Sequence, residues 1–180
     1  MTWRTSIAFV IFTTLITIAV GSLISADWLP IGKTIELGAG GLRFLLVWMN
    51  LAIAIGVVLP AIAFVIGFKH SKLRKVFGFY FLLLGIQIVT EQIFSQYWMP
   101  SLVVPIGTLY TAFRIWQLWG GLQLVHSDQK QLLRSKLSVG TLWLTFCFWI
   151  SNLFLLLLLA WPNIFSLGLI AHNLARTFEI

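Results

Sequence analysis

Charged residues are scarce in this chain. They make up 9% of its 180 residues, whereas soluble domains carry about 25%. Hydrophobic residues reach 59% and the mean hydropathy is +0.97, which is more apolar surface than a protein-only core of this length can bury. The composition excludes a disordered chain and a soluble nucleic-acid-binding protein. A lipid bilayer is the solvent that this composition fits.

Residues that carry catalysis or bind metals are also few. The single cysteine, Cys147, lies in an apolar run, which excludes a disulfide framework and paired zinc-binding cysteines. The sequence contains no zinc-protease, serine-hydrolase or nucleotide-binding motif. His70, His126 and His172 lie outside the apolar runs, where histidines cannot ligate haem inside a helix bundle. We therefore predict no cofactor, no metal and no enzymatic activity.

Five stretches are long and apolar enough to cross a membrane, because the hydrocarbon core needs about 20 apolar residues. Lipid cannot satisfy an open sheet edge, so these stretches are helices. The predicted fold class is an all-α integral membrane protein, a bundle of about five transmembrane helices in a single domain over 1–180. In the tail, apolar residues recur every three or four positions, which predicts an interfacial carboxyl-terminal helix. The predicted spans are 6–25, 44–68, 76–98, 102–125 and 137–161, and the tail is 162–180.

Two boundaries of these spans need a separate argument. No hydrophilic break divides the third span from the fourth, and one helix over both would far exceed the bilayer thickness. Pro100 marks the predicted turn, since proline pushes the preceding residue out of the helical region. The first span follows Arg4 and is either an uncleaved anchor or the core of a signal peptide that ends near Ala26. Its long apolar run favours the anchor.

Basic residues in the connections predict the orientation of the chain. With the amino terminus in the cytoplasm and the carboxyl terminus opposite, eight basic residues lie inside and three outside. The net charge of +7 is then mainly a topology signal and not a nucleic-acid surface. The predicted location is a bacterial inner membrane, or a thylakoid membrane in a photosynthetic organism. The basic residues expected to meet anionic lipid headgroups are Lys69, Lys72, Arg74 and Lys75.

Glu91 and Arg114 are the charged residues inside the spans. Each costs about 2.5–3.5 kcal/mol at the centre of a helix, so neither should face lipid. In a hairpin that turns near Pro100, Arg114 faces Ile86 and Gln87 and lies about one turn from Glu91. Three interpretations stay open: a buried ion pair that fixes helix register, a proton or ion path or polar-ligand anchor, or a shifted span that brings one residue to the interface.

Uncharged polar residues inside the spans have two interpretations. Gln87 and Gln92 belong to a polar stripe in the third span, which either forms hydrogen bonds between helices or lines a small wet cavity. Asn50 and Pro60 interrupt the second span, and Asn152 interrupts the fifth. These three are packing features or line a cavity, and Pro60 also frees a backbone carbonyl.

Two of the nine tryptophans, Trp116 and Trp119, lie close to Arg114 in the sequence. This proximity allows a cation–π contact. The two rings are also the candidates for stacking on a flat ligand such as a tetrapyrrole or a quinone. Packing against lipid or other helices is the alternative.

The sequence predicts the class of protein better than its activity. We expect a multi-pass membrane protein that serves as a non-enzymatic accessory, scaffold or assembly factor of a membrane complex. Its partners would be the lipid bilayer and other membrane proteins, and not nucleic acid. The alternatives are a small transporter or a proton or solute pathway that uses Glu91 and Arg114, and a binder of an apolar ligand such as a lipid, quinone or pigment.

Overall fold

The computed structural model describes residues 3–35, 38–126 and 134–165. These ranges contain about five helices and no strand. Four helices are long and apolar enough to cross a membrane: Trp3–Ser25, Ala39–Ile66, Ser71–Tyr97 and Leu137–Phe165. The predicted all-α membrane fold is confirmed, and these helices support a location in a membrane. The type of membrane and the side on which each terminus lies stay predictions.

Helix α1 (Trp3–Ser25) contains the predicted first span. It ends in a left-handed turn, where Asp27 has a φ angle of 56° and the N–H of Trp28 donates to the carbonyl of Leu23 at 3.0 Å. A turn of this kind satisfies carbonyls that have no partner in the last turn of a helix. Aspartate occupies the position because its short polar side chain tolerates the left-handed region.

The second span is continuous but contains a widened turn. Helix α2 (Ala39–Ile53) passes into a π-helical turn, Ala54–Val58, and then into α3 (Leu59–Ile66). Pro60 lacks an N–H, and its ring crowds the carbonyl four residues earlier, which belongs to Gly56. The π turn immediately before the proline relieves this crowding, since π turns are typical of places where the regular hydrogen-bond ladder is interrupted.

The third and fourth spans are separate helices, as predicted. Helix α4 (Ser71–Tyr97) is followed by a short 3-10 turn, Pro100–Leu102, and then by α5 (Val103–His126). Met99 is extended, with φ −146° and ψ 128°, as expected for a residue before proline. Helix α5 is as long as α1 but is not among the four most apolar helices, because Arg114, two glutamines and three glycines lower its mean hydropathy.

The fifth span forms α6 (Arg134–Leu155), which continues through a second π turn, Leu156–Ala160. The helix continues beyond the predicted end of this span as far as residue 165. The predicted interfacial helix at 162–180 lies outside the described residues from 166 onward. That helix therefore stays a prediction.

Two compact units make up the chain, and α4, α5 and α6 contribute residues to both. Of the described residues, unit 1 consists of those within Leu37–Gly85 and Thr111–Asn152, and unit 2 consists of those within Thr2–Glu36, Ile86–Tyr110 and Leu153–Ile180. The organisation of 1–180 as a single domain stays a prediction.

In unit 1, aromatic and aliphatic side chains from four helical segments form the core. Helices α4 and α5 approach closely where Gly121 faces Val76: a Cβ atom added at Gly121 would lie 2.7 Å from a Val76 methyl carbon. Glycine at such a position lets two helix backbones come together. The buried apolar residues of this core are Ala63, Leu73, Val76, Phe77, Tyr80, Leu84, Leu118, Leu122, Val125, Leu142, Phe148 and Trp149.

In unit 2, the connection after α1 joins the core. Ile31 is buried, and the N–H of Gly32 donates to the carbonyl of Ile164 at 2.9 Å. The Trp98 ring packs on Gly21, where an added Cβ would lie 2.7 Å from the ring. The connection after α1 is therefore anchored in this core. The buried apolar residues of this core are Ile24, Ile31, Met99, Leu102, Val104, Ile106, Tyr110 and Ile164.

Candidate functional site

Arg114 lies in the interior of unit 1, where 1% of its surface is exposed. Its guanidinium carbon is 4.1 Å from the centroid of the Trp149 ring and 5.5 Å from that of the Tyr80 ring. A cation over the face of an aromatic ring is stabilised by about 2 kcal/mol when water is excluded. The two aromatic faces therefore offset part of the cost of placing this charge among apolar helices.

The rings that meet Arg114 are not those expected from the sequence. The predicted cation–π partners, Trp116 and Trp119, are 53% and 46% exposed, and the guanidinium lies over Tyr80 and Trp149 instead. The reason is helical geometry. Residues two and five positions along a helix project about 200° and 140° away from Arg114, so both tryptophans lie on other faces of α5.

Tyr80 also completes the backbone hydrogen bonding around Pro60. Its hydroxyl donates to the carbonyl of Gly56, which in a regular α-helix would accept from the N–H of residue 60, an N–H that proline lacks. The same hydroxyl accepts a hydrogen bond from Trp149 Nε1 at 2.9 Å. Gly56 lets the Trp149 ring approach this turn closely, because a Cβ at this position would lie 3.0 Å from the ring. The structure thus joins the widened turn, Tyr80, Trp149 and Arg114 in one cluster.

Asn152 forms the second polar cluster of unit 1. Its Oδ1 accepts a hydrogen bond from Trp48 Nε1 at 2.7 Å, and its Nδ2 donates to Thr111 Oγ1 at 3.3 Å. The amide therefore connects α6 to both α2 and α5. Of the two interpretations of this residue, interhelical packing matches these contacts.

Asn50, in contrast, is on the exposed side of α2. None of the fifteen residues of α2 is buried, and the neighbouring Leu46 and Val47 are 54% and 60% exposed. Asn50 is therefore an amide within an outward-facing apolar surface. Four exposed residues, Leu46, Val47, Asn50 and Ile53, form this surface, the α2 face.

Glu91 belongs to unit 2, where it is half-buried. Gln87, which is 8% exposed, donates from Nε2 to Glu91 Oε1 at 2.6 Å. A Cβ added at Gly107 of α5 would lie 3.5 Å from the same oxygen, so α5 lies next to the carboxyl group. The predicted stripe is thus partly in contact with α5. Arg114 belongs to unit 1, and its pairing with Glu91 stays a prediction.

Gln92 and the basic residues have more exposed positions. Gln92 accepts a hydrogen bond from Gln96 at 2.8 Å on an exposed surface. Lys69, Arg74 and Lys75 are exposed. The guanidinium of Arg74 lies 5.5 Å from the centroid of the Phe68 ring. Their predicted contact with lipid headgroups stays a prediction.

Unit 1 also contains a cavity of about 260 Å³ between α4 and α5. The predicted stacking residues Trp116 and Trp119 both line it, together with Lys75 and Gln117. Gln117 is 5% exposed, and its amide nitrogen and oxygen have no hydrogen-bond partner in the described structure. A buried amide without partners is unusual and calls for a ligand, a water molecule or another physical explanation.

Sequence reasoning missed Tyr80, Trp149, Gly56 and Gln117. One signal was available, because the position four residues before Pro60 identifies Gly56 as the carbonyl that needs another donor. The residue that supplies the donor lies on another helix, so only the tertiary structure reveals it. Gln117 gave no signal as a single glutamine in an apolar helix.

Comparisons with protein-family models, curated proteins and solved structures find no match to this chain. Among the described residues, no group of three or more histidine, cysteine, aspartate or glutamate side chains is arranged to hold a metal ion.

Proposed function

We propose that this multi-pass membrane protein is a non-enzymatic accessory or assembly component of a membrane complex, and that the α2 face binds a transmembrane helix of a partner protein. The observation that carries the proposal is the exposed asparagine at the centre of this face. Exposed leucine and valine side chains are compatible with contact to lipid. An exposed amide is a poor neighbour for lipid, because hydrocarbon offers it no hydrogen-bond partner.

The position of Asn50 makes lipid a poor neighbour. The segment Ala39–Ile66 has 28 residues, so it is about 42 Å long, and Asn50 lies within about 5 Å of its middle. Leaving an amide without hydrogen bonds in hydrocarbon costs about 2 kcal/mol or more. A polar side chain on a neighbouring transmembrane helix removes that cost, because such residues form hydrogen bonds between helices.

The same chemistry occurs inside unit 1. The Asn152 amide uses both its oxygen and its nitrogen to join α6 to Trp48 and Thr111 on neighbouring helices. Asn50 carries an identical amide on a helix with no buried residue. We infer that Asn50 serves a helix outside this chain in the way that Asn152 serves helices within it.

Extraction of native membranes with a mild detergent, followed by native-gel separation, tests the proposal with Asn50→Leu. The wild-type chain should migrate in a larger complex. The variant should bind its partner about 3- to 18-fold more weakly, from about 0.6–1.7 kcal/mol for an interhelical hydrogen bond. Met49→Leu is the matched control, since Met49 is also exposed, at 52%. A wild-type chain that runs alone or only with copies of itself would overturn the proposal.

A second candidate is a proton or solute pathway, and the contact between Gln87 and Glu91 favours it. A carboxyl group within a candidate membrane span, held at 2.6 Å by a buried amide, is the kind of group that proton pathways use. Glu91 would be the titrating group. Flux into proteoliposomes should be lost in Glu91→Gln and kept in Gln92→Glu, and flux unchanged in Glu91→Gln would exclude this pathway.

A further inference from the structure

Asn50 projects almost directly away from the core of unit 1. Trp48 and Ala52 pack against that core, and the Trp48 ring stacks on Phe148 with 5.0 Å between the ring centroids. Asn50 is two positions from Trp48 and two from Ala52, and residues two apart on a helix project about 160° from one another. The side of α2 that carries Asn50 is therefore opposite the side that the chain itself covers.

Arg43 lies on the same outward side of α2 as Asn50. The two residues are seven positions apart, which places them about 10 Å apart along the helix axis and within about 20° of one another around it. Leu46 and Ile53 complete a spacing of three, four and three residues, which is typical of the contact line between two helices that wind around each other. The heptad stripe consists of these four exposed residues, Arg43, Leu46, Asn50 and Ile53.

Arg43 lies at the edge of the hydrocarbon core. The segment Ala39–Ile66 has 28 residues and is about 42 Å long, compared with about 30 Å for the hydrocarbon core. About 6 Å at each end therefore extends into the headgroup region, and Arg43 is about 6 Å from the start of the segment. The guanidinium forms no ion pair with another residue in the described parts of the chain. Where no helix covers it, this charge can reach water and lipid phosphates.

A partner helix that covers Asn50 also covers Arg43. Helices that pack along a heptad line stay in contact over several turns, and Arg43 is only about two turns from Asn50. The covered guanidinium loses water and phosphate, and a covered charge without an opposite charge is strongly unfavourable. A carboxylate on the partner helix removes this cost, because guanidinium and carboxylate groups form paired, charge-assisted hydrogen bonds.

The same charge argues against a second copy of this chain as the partner. Copies of one membrane protein share one orientation, so symmetric packing along the heptad stripe would bring two Arg43 side chains together at the same depth. Like charges placed opposite each other in an interface are unfavourable. The heptad stripe therefore fits a different, acidic helix better than it fits itself.

We propose that the partner helix carries an aspartate or glutamate that pairs with Arg43, about two turns from an amide or hydroxyl side chain that meets Asn50. This inference rests on the proposed function, because it assigns the chemistry of the helix that the α2 face binds. The carboxylate selects the partner and its register, since a helix shifted by a turn would bring an apolar side chain to Arg43. The heptad spacing ends at the π turn Ala54–Val58, where the wider turn changes the angle between successive residues.

Arg43→Gln tests the ion pair in native complexes extracted with a mild detergent, with the dissociation constant read from native gels at a series of dilutions. The variant should weaken the complex about fivefold, equivalent to about 1 kcal/mol. Lys33→Gln is the matched control, because Lys33 is also exposed, at 55%, and lies outside the heptad stripe. Its effect should be less than about twofold.

The outcomes separate this inference from the proposed function. Equal effects of Arg43→Gln and Lys33→Gln, in a complex that Asn50→Leu still weakens, would overturn the ion pair and leave the proposed function intact. Arg43 would then face lipid headgroups. A wild-type chain that forms no complex would overturn both.

Charge reversal tests the carboxylate itself. A photoreactive amino acid at position 46 labels the partner, and mass spectrometry of the adduct identifies the labelled helix. That helix should contain an aspartate or glutamate about seven residues from an amide or hydroxyl side chain. Arg43→Glu should weaken the complex more than Arg43→Gln does, and lysine in place of the partner's acidic residue should restore binding by Arg43→Glu to within about twofold of wild type. A labelled helix without such a residue, or no rescue by the reversed pair, would overturn the inference.

Discussion

Replacing Tyr80 by phenylalanine removes one hydroxyl and, with it, two hydrogen bonds in the interior of unit 1. The hydroxyl donates to the carbonyl of Gly56 and accepts from Trp149 Nε1 at 2.9 Å. Tyr80 is fully buried, at 0% exposure, so water cannot replace either bond. The phenylalanine ring still lies beside Arg114, which restricts the change to the hydrogen bonds.

Each lost bond contributes about 1 kcal/mol net to stability in soluble proteins, and about 0.6 to 1.7 kcal/mol between membrane helices. Tyr80→Phe should therefore lower the free energy of unfolding by about 1–3 kcal/mol. Pro60→Ala restores an N–H one turn after Gly56 and gives that carbonyl a second possible donor. The double variant should lose about 1 kcal/mol less unfolding free energy than the sum of the losses in Tyr80→Phe and Pro60→Ala.

Denaturant-induced unfolding in one fixed lipid or micelle composition measures the free energy of unfolding of the wild type, the two single variants and the double variant. Tyr97→Phe is the matched control, because Tyr97 is 85% exposed and its replacement should have little effect. The reasoning is refuted if Tyr80→Phe is no more destabilising than Tyr97→Phe. It is also refuted if the effects of Tyr80→Phe and Pro60→Ala are strictly additive, because Tyr80 would then not compensate for the proline.

The remaining predictions concern helix packing. Gly121→Ala should lower the unfolding free energy by about 1–3 kcal/mol through overpacking, because the new methyl carbon would lie 2.7 Å from Val76. A Cβ added at Gly120 would meet no atom within 4 Å, so Gly120→Ala should be neutral or stabilising by up to about 1 kcal/mol. Equal effects of Gly120→Ala and Gly121→Ala in the same unfolding assay would contradict the close approach of Gly121 to Val76. Asn152→Leu should lower the unfolding free energy by about 1–2 kcal/mol. It should also shift the fluorescence of Trp48, because the indole N–H loses the acceptor that lies 2.7 Å away. Unchanged emission would contradict that contact.

The main helices were predictable because their signals are local. Long apolar runs locate the spans, and the effect of Pro100 on Met99 locates the break between α4 and α5. Whether α5 is apolar enough to cross a membrane was harder to predict from the sequence. Its polar residues are buried against protein, as Thr111 and Arg114 show with exposures of 0% and 1%, so the helix needs less apolar surface than its length indicates.

The site was less predictable because its contacts join distant parts of the sequence. The freed carbonyl at Pro60 could be expected, but the hydroxyl of Tyr80 that compensates for it comes from another helix. Proximity in the sequence gave the wrong aromatic partners for Arg114, since neighbours two and five positions along a helix lie on other faces. Trp149 is far from Arg114 in the sequence, and helix packing brings it there.

Photo-crosslinking from the α2 face in native membranes tests the proposed function most directly. A photoreactive amino acid at position 46, one turn before Asn50, should form an adduct of defined mass with another membrane protein. The same probe at position 158, whose leucine is 68% exposed, should label mainly lipid. Asn50→Leu should reduce the protein adduct at position 46. Lipid adducts alone at position 46, with no effect of Asn50→Leu, would contradict it.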